Sequence, residues 1–128
     1  MRREFIVPMF LASLAAGLAA SAPASAQDAA AGKTVFNGKC AVCHSLVPGK
    51  RSVGPSLIGV VGRPAGSGDP NYSYSDEMKN SGKTWDPATL DAYLTSPRTY
   101  LPGVKMLFAG LPSATDRANL IAFLATLK

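Results

Sequence analysis

Five consecutive residues, Cys40-Ala41-Val42-Cys43-His44, constrain the fold of this chain more than any other feature. Along a helix, positions i, i+3 and i+4 share one face. The segment must therefore bring two thiols and an imidazole to a common surface. Cys-x-x-Cys-His in that arrangement is the attachment site of a c-type haem. Each sulfur adds across a vinyl group to form a thioether, and the imidazole supplies an axial nitrogen to the iron. A chain carrying this site has to fold around a flat apolar ring. His44 is its only histidine, so the iron cannot take a second histidine from the same polypeptide.

The first residues read as an address rather than as fold. Arg2 and Arg3 form a basic start, Phe5 to Ala20 is an apolar run without a charge, and Ala24-Ser25-Ala26 fits an A-x-A cleavage site. Residues 1–26 are thus expected to be a cleaved secretory signal peptide, leaving a single domain over 27–128. A membrane anchor is the rival, since the run approaches the minimum spanning length. Pro8, Gly17 and the small-residue end speak against it, and no stable membrane insertion is expected after cleavage. Arg2-Arg3 also resembles a twin-arginine signal, but c-type haem is attached after export and the chain should cross unfolded. The expected location is the periplasm, where unprotected thiols tend to oxidise.

Removing Arg2, Arg3 and Glu4 lowers the whole chain's +5 by one, to +4. A small basic domain can be steered toward acidic partners. Nucleic acid is not expected, because no basic stripe with interleaved aromatics appears. A domain of this size buries a modest share of its surface, and a covalently held apolar ring would supply missing core.

Four helices are expected in an all-α domain. Asp28 can cap a first helix through Ala29, Phe36 and Lys39 into the haem motif. Residues 45–73 are rich in glycine and proline and read as a long non-helical excursion, which needs something such as a haem edge to pack it. Ser75 can cap a short helix that stops at Gly82. Asp86-Pro87 is an N-cap with proline at the first helical position, followed by a buried stripe of Leu90, Tyr93 and Leu94, and Pro97 ends that helix. Ser113 opens the last helix, with Leu120, Ile121, Phe123, Leu124 and Leu127 apolar, and Lys128 is placed at its negative dipole end.

Once His44 occupies one side of the iron, the other side either takes a ligand or stays open. Methionine sulfur suits haem iron and raises its reduction potential. After cleavage only Met78 and Met106 remain. Met78 falls inside the short helix, where packing is the simpler role. Met106 follows Leu101-Pro102-Gly103-Val104-Lys105, and a Pro-Gly turn can carry an extended segment across a flat face. Met106 is the better-placed candidate, with core packing as the alternative.

Taken in order, these segments resemble the class I cytochromes c, the small His/Met-ligated type of mitochondria and bacterial periplasms. Gly32-Lys33-x-x-Phe36 before the haem motif, Gly54-Pro55-x-Leu57-x-Gly59, Gly62-Arg63, Lys83-Thr84-Trp85, Tyr93-Leu94, Tyr100-Leu101-Pro102-Gly103-x-Lys105-Met106-x-Phe108-x-Gly110 and Leu120-Ile121-Ala122-Phe123-Leu124 carry the likeness. It implies the cytochrome c fold, with the first and last helices crossing near Gly32 and Phe36 against Leu120 and Phe123. It implies one haem c joined to Cys40 and Cys43, with His44 and Met106 as axial ligands. The Pro55 carbonyl would accept from the far imidazole N–H of His44. Tyr74 and Trp85 would donate to a buried haem propionate, Arg63 would offset its charge, and Tyr93 would lie near the methionine. Two departures make the pocket less polar: Val104 stands where relatives often have threonine, and Met78 where some have asparagine.

The resemblance implies a soluble, monomeric one-electron carrier, not an enzyme. Its partners would be membrane-bound or periplasmic redox proteins with acidic docking surfaces, met through a basic ring of Lys39, Lys50, Arg51, Arg98 and Lys105. Scattered solvated charges are the plainer reading of those five. A haem-bearing donor or acceptor subunit dedicated to one redox enzyme is a close rival. A haem enzyme or gas-binding protein with an open sixth site would want a distal acid–base group, and there is no spare histidine. A dithiol role for Cys40 and Cys43 wants a βαβ context that is absent, and zinc would need a fourth ligand.

Overall fold

The computed structural model describes residues 27–128; the proposed signal peptide, residues 1–26, lies outside the described residues. Five helices run in the order α1 (Ala29–Lys39), α2 (Asp76–Lys79), α3 (Pro87–Thr95), α4 (Pro97–Tyr100) and α5 (Ala114–Ala125). Among the described residues there is no strand, only an isolated bridge between Pro64 and Thr84. No described helix is long and apolar enough to cross a membrane.

Local chemistry sets the helix starts. The Asp28 carboxylate accepts from the amides of Ala30 and Ala31 at 2.8 and 3.1 Å, Ser75 Oγ from Met78 at 3.2 Å, Asp86 from Thr89 at 2.7 Å and Ser113 Oγ from Asp116 at 3.1 Å. Each cap satisfies amides that have no partner within the first turn. The Asp86 bond to Thr89 holds its carboxyl below the usual range.

Three details differ from the expected layout. Pro97 does not merely end α3: Ser96 intervenes, and Pro97 opens the single-turn α4 as its first residue. A ring with fixed φ stops one helix and starts the next equally well. The short α2 stops at Lys79, before Gly82. The last helix, α5, ends at Ala125 with Thr126 as C-cap, short of Leu127.

The core forms where α1 crosses α5. Gly32 and Phe36 on α1 meet Leu120 and Phe123 on α5, all buried, with the two phenyl centroids 5.7 Å apart. An ideal Cβ on Gly32 would fall 1.8 Å from the Asn119 carbonyl oxygen, so the backbones touch there. Asn119 Oδ1 also accepts from the Asp28 amide at 2.9 Å, tying the start of α1 to α5. The stripe Leu90, Tyr93 and Leu94 of α3 joins the same core. Two long-range clamps then place the loops. Residues 62–65 pair with 83–85 through Gly62 N to Trp85 O, Trp85 N to Arg63 O and Ala65 N to Lys83 O, at 2.8–2.9 Å. Leu111 N donates to Leu94 O at 2.8 Å, fixing the end of the 101–112 segment on α3.

Candidate haem site

The haem motif lies just past α1 rather than within it. Cys40 is the C-cap of α1, and Cys43 and His44 donate their amides to the Cys40 carbonyl at 3.0 and 2.9 Å. One further helical turn thus keeps the i, i+3, i+4 spacing although the regular helix has ended. The imidazole is held from the far side: His44 Nδ1 lies 2.8 Å from the Pro55 carbonyl. A carbonyl can only accept, so Nδ1 carries the proton and Nε2 keeps its lone pair for a metal. Gly54 allows this contact. A Cβ there would sit 2.5 Å from His44 Cε1, and the Gly54 amide donates to Cys43 O at 2.8 Å.

Cys40, Cys43 and His44 open onto a cavity of about 440 Å³ lined mainly by apolar and aromatic side chains. The other candidates Pro55, Arg63, Tyr74, Trp85, Tyr93 and Met106 all line it. Met78, Val104 and Leu57 of the Gly54–Gly59 segment line it too, as do residues not anticipated as lining it, including Tyr72, Leu90 and Phe108. Tyr72 could have been suspected from its two-residue spacing to Tyr74; the others read only as ordinary core. Pro102-Gly103 makes the turn before Met106, with Gly103 at φ +92°, a region that glycine favours.

The electrostatics of the cavity follow from burial. Burial, with a smaller effect from Cys43, pushes the Cys40 thiol up to about 11, so it is protonated at neutral pH before attachment. Tyr93 packs 4.8 Å from Trp85 and 6.4 Å from Tyr100, and burial pushes its phenol up to about 12. Arg63 is half-buried in the wall and donates to the Ile58 carbonyl at 3.1 Å. The ion pairs among the described residues involve Arg51, Lys79 and Arg117, leaving Arg63 without a carboxylate. A half-buried cation facing a cavity needs a counter-charge. An apolar ring with acidic side arms fits this wall, with two thiols and a lone-pair nitrogen beside it.

Three comparisons decide what group this is. The cytochrome c family profile matches residues 29–128. The chain is 51% identical over 118 residues to cytochrome c2 of Rhodomicrobium vannielii, covering 91% of this chain and 93% of that protein. The chain belongs to the cytochrome c family. It is also 52% identical over 98 residues to cytochrome c-550 of Bradyrhizobium diazoefficiens, covering 76% of this chain and 71% of the relative. The structure of cytochrome cH from Methylobacterium extorquens superposes with a TM-score of 0.73 at 44% identity, covering 77% of this chain and 98% of that one. As a cytochrome c, the chain is an electron carrier with one haem c covalently attached at Cys40 and Cys43.

The five basic candidates part company in the structure. Lys39 and Lys105 border the cavity of this cytochrome, whereas Lys50, Arg51 and Arg98 do not line it. Two of the five are already engaged. Arg51 pairs with Asp69 at 3.3 Å and donates to the Asn71 carbonyl at 2.7 Å, and Lys105 Nζ donates to the Ser73 carbonyl at 2.7 Å. Of the five, Lys39 and Lys105 alone border the cavity itself. The mouth also presents three aliphatic side chains, Val42, Val53 and Leu107, exposed by 79%, 73% and 86%. Nothing in their local sequence sets them apart from core residues.

Proposed function

We propose that the chain works in the periplasm as a monomeric, soluble one-electron carrier, with His44 and Met106 as the axial ligands of its haem. The observation that carries this reading is the single cavity gathering Cys40, Cys43, the Pro55-bound His44 and Met106. When bound, the haem iron passes between ferric and ferrous states, taking up or giving one electron. Pro55 holds the imidazole of His44 in one tautomer and orientation. The Pro102-Gly103 turn and the Leu111–Leu94 clamp hold the segment that carries Met106. Arg63, Tyr74 and Trp85 would take the propionates, and the apolar lining keeps water away. Two strong protein ligands and a dry pocket suit transfer of an electron rather than binding of a substrate.

The partners on this reading are membrane-bound or periplasmic redox proteins that meet the exposed Val42, Val53 and Leu107 with an apolar centre and Lys39 with acidic groups. Contacts of that kind are small and short-lived. The basic start, apolar run and A-x-A end of residues 1–26 support export, and the +4 balance left after cleavage supports acidic partners.

The visible spectrum of the exported protein tests the ligation. A low-spin spectrum with the weak red band of sulfur-to-ferric-iron charge transfer is expected, and Met106→Ala should abolish that band. A high-spin spectrum of the unmodified protein, or a band that survives in Met106→Ala, overturns the assignment. The rate with an acidic membrane partner should fall with added salt; a flat response removes the basic part of the docking argument.

A further inference from the structure

Residues 69–74 bring Tyr72 and Tyr74 to the wall of the haem cavity without a helix or strand to hold them. The segment is closed on itself. Asp69 Oδ1 accepts from Asn71 N at 2.9 Å, the Asp69 amide donates to Tyr74 Oη at 3.1 Å, and the two tyrosine rings meet edge-on at 4.8 Å. Its ties to the rest of the molecule come from two cations on opposite sides in sequence. Arg51 lies between His44 and Pro55; its Nη1 donates to the Asn71 carbonyl at 2.7 Å and its Nε pairs with Asp69 at 3.3 Å. Lys105 directly precedes Met106; its Nζ donates to the Ser73 carbonyl at 2.7 Å and reaches Ser73 Oγ at 3.2 Å.

We infer that Arg51 and Lys105 are positioning residues, straps that hold the tyrosine-bearing loop against the haem cavity from the His44 segment and from the Met106 segment. This rests on the reading of that cavity as the haem site. Both residues were candidates for partner docking; both are exposed, and their donors reach the loop. A planar guanidinium can satisfy a carbonyl and a carboxylate together, which an ammonium cannot do in the same geometry. The Asp69 side chain is only 14% exposed, so losing Arg51 leaves its carboxylate partly buried and unpaired. A loosened loop would admit water beside Tyr72 and Tyr74. Water there changes the local dielectric on which the haem potential depends.

The test uses the haem-loaded protein as Arg51→Gln, Asp69→Asn, the double variant and Arg51→Lys, read by amide exchange and by redox titration. Both single variants should speed exchange of the amides of residues 71–74 by about tenfold, the factor for one charge-assisted hydrogen bond at a half-exposed site. Amides of α1 and α5 should keep their protection. Both should shift the potential in the same direction, the double variant should add nothing further, and Arg51→Lys should restore part of each effect. Unchanged exchange in Arg51→Gln overturns the inference, as does faster exchange with an unmoved potential. A slower partner reaction in Arg51→Gln that Asp69→Asn does not share, with exchange unchanged, would return Arg51 to docking. The exchange readout does not depend on electron delivery, so failure of the carrier reading would appear in the visible spectrum instead.

Discussion

Gly32→Ala should destabilise this protein although alanine is the better helix former. Within α1 the substitution gains up to about 1 kcal/mol of helix propensity. Against that, the new Cβ would sit 1.8 Å from the Asn119 carbonyl oxygen, 2.5 Å from the carbonyl carbon and 2.8 Å from Phe123 Cβ. Real Cβ contacts do not fall below 3.0 Å, so α5 must retreat by about 1.2 Å, the gap between those two values. The obstacle is backbone, and no rotamer change relieves it. Overpacking a well-filled core costs about 1–3 kcal/mol, and a clash that separates two helices belongs at the upper end. The net loss should be about 2 kcal/mol, which lowers Tm by roughly 8–16 °C for a domain of this size. Gly38→Ala is the control. Gly38 is on the same helix with nothing within 4 Å of its Cβ position, so that variant should be stabilised by a few tenths of a kcal/mol, up to about 1. Urea unfolding of the haem-loaded variants, followed by far-ultraviolet circular dichroism, gives both numbers. If Gly32→Ala falls within about 0.5 kcal/mol of the parent, the close crossing of α1 and α5 is not what glycine serves there.

The remaining predictions concern the site and its supports. Gly54→Ala places a Cβ 2.5 Å from His44 Cε1 and should displace the ring from the Pro55 carbonyl; the reduction potential should move, and an unaltered potential would show that the ring tolerates the shift. Tyr93, with its phenol raised from 10.0 to about 12, favours the protonated folded state. Its contribution to stability is complete below pH 10 and is lost as pH rises toward 12, so unfolding curves of Tyr93→Phe should lack the drop seen in the parent across that window. Arg117 is almost buried; it pairs with Asp91 at 2.7 Å and donates to the Leu111 and Pro112 carbonyls at 2.8 and 3.0 Å. Arg117→Ala strands the carbonyl of buried Leu111 and should cost about 2–3 kcal/mol in urea unfolding; a loss below about 1 kcal/mol would class the pair with ordinary surface ion pairs.

Much of the site was legible in sequence because its signals are local. The haem motif is five consecutive residues, and the spacing that brings Cys40, Cys43 and His44 together survives even though α1 stops at Lys39. The caps Asp28, Ser75, Asp86 and Ser113 act within three residues of themselves. Pro97 reads from sequence only as a stop, yet proline ends a helix and begins one by the same restriction of φ. The roles of Arg51 and Lys105 were not legible. Each reaches an acceptor 20 or 32 residues away, and neither the Pro-Gly-rich loop after Arg51 nor the helices before Lys105 carry a pattern that says which carbonyl it meets.

The division follows the range of the forces involved. Covalent spacing and side-chain capping operate within a turn of backbone, so the residues alone determined the haem attachment, the capped starts of α1, α2, α3 and α5, the apolar stripes of α3 and α5 and the family. Packing and charge pairing operate between segments that only the closed chain brings together. Tertiary structure decided that Gly32 lets two backbones touch, that Gly54 seats His44 against Pro55, that Arg63 faces the cavity without a carboxylate, and that Arg51 and Lys105 each bond to a loop far off in sequence.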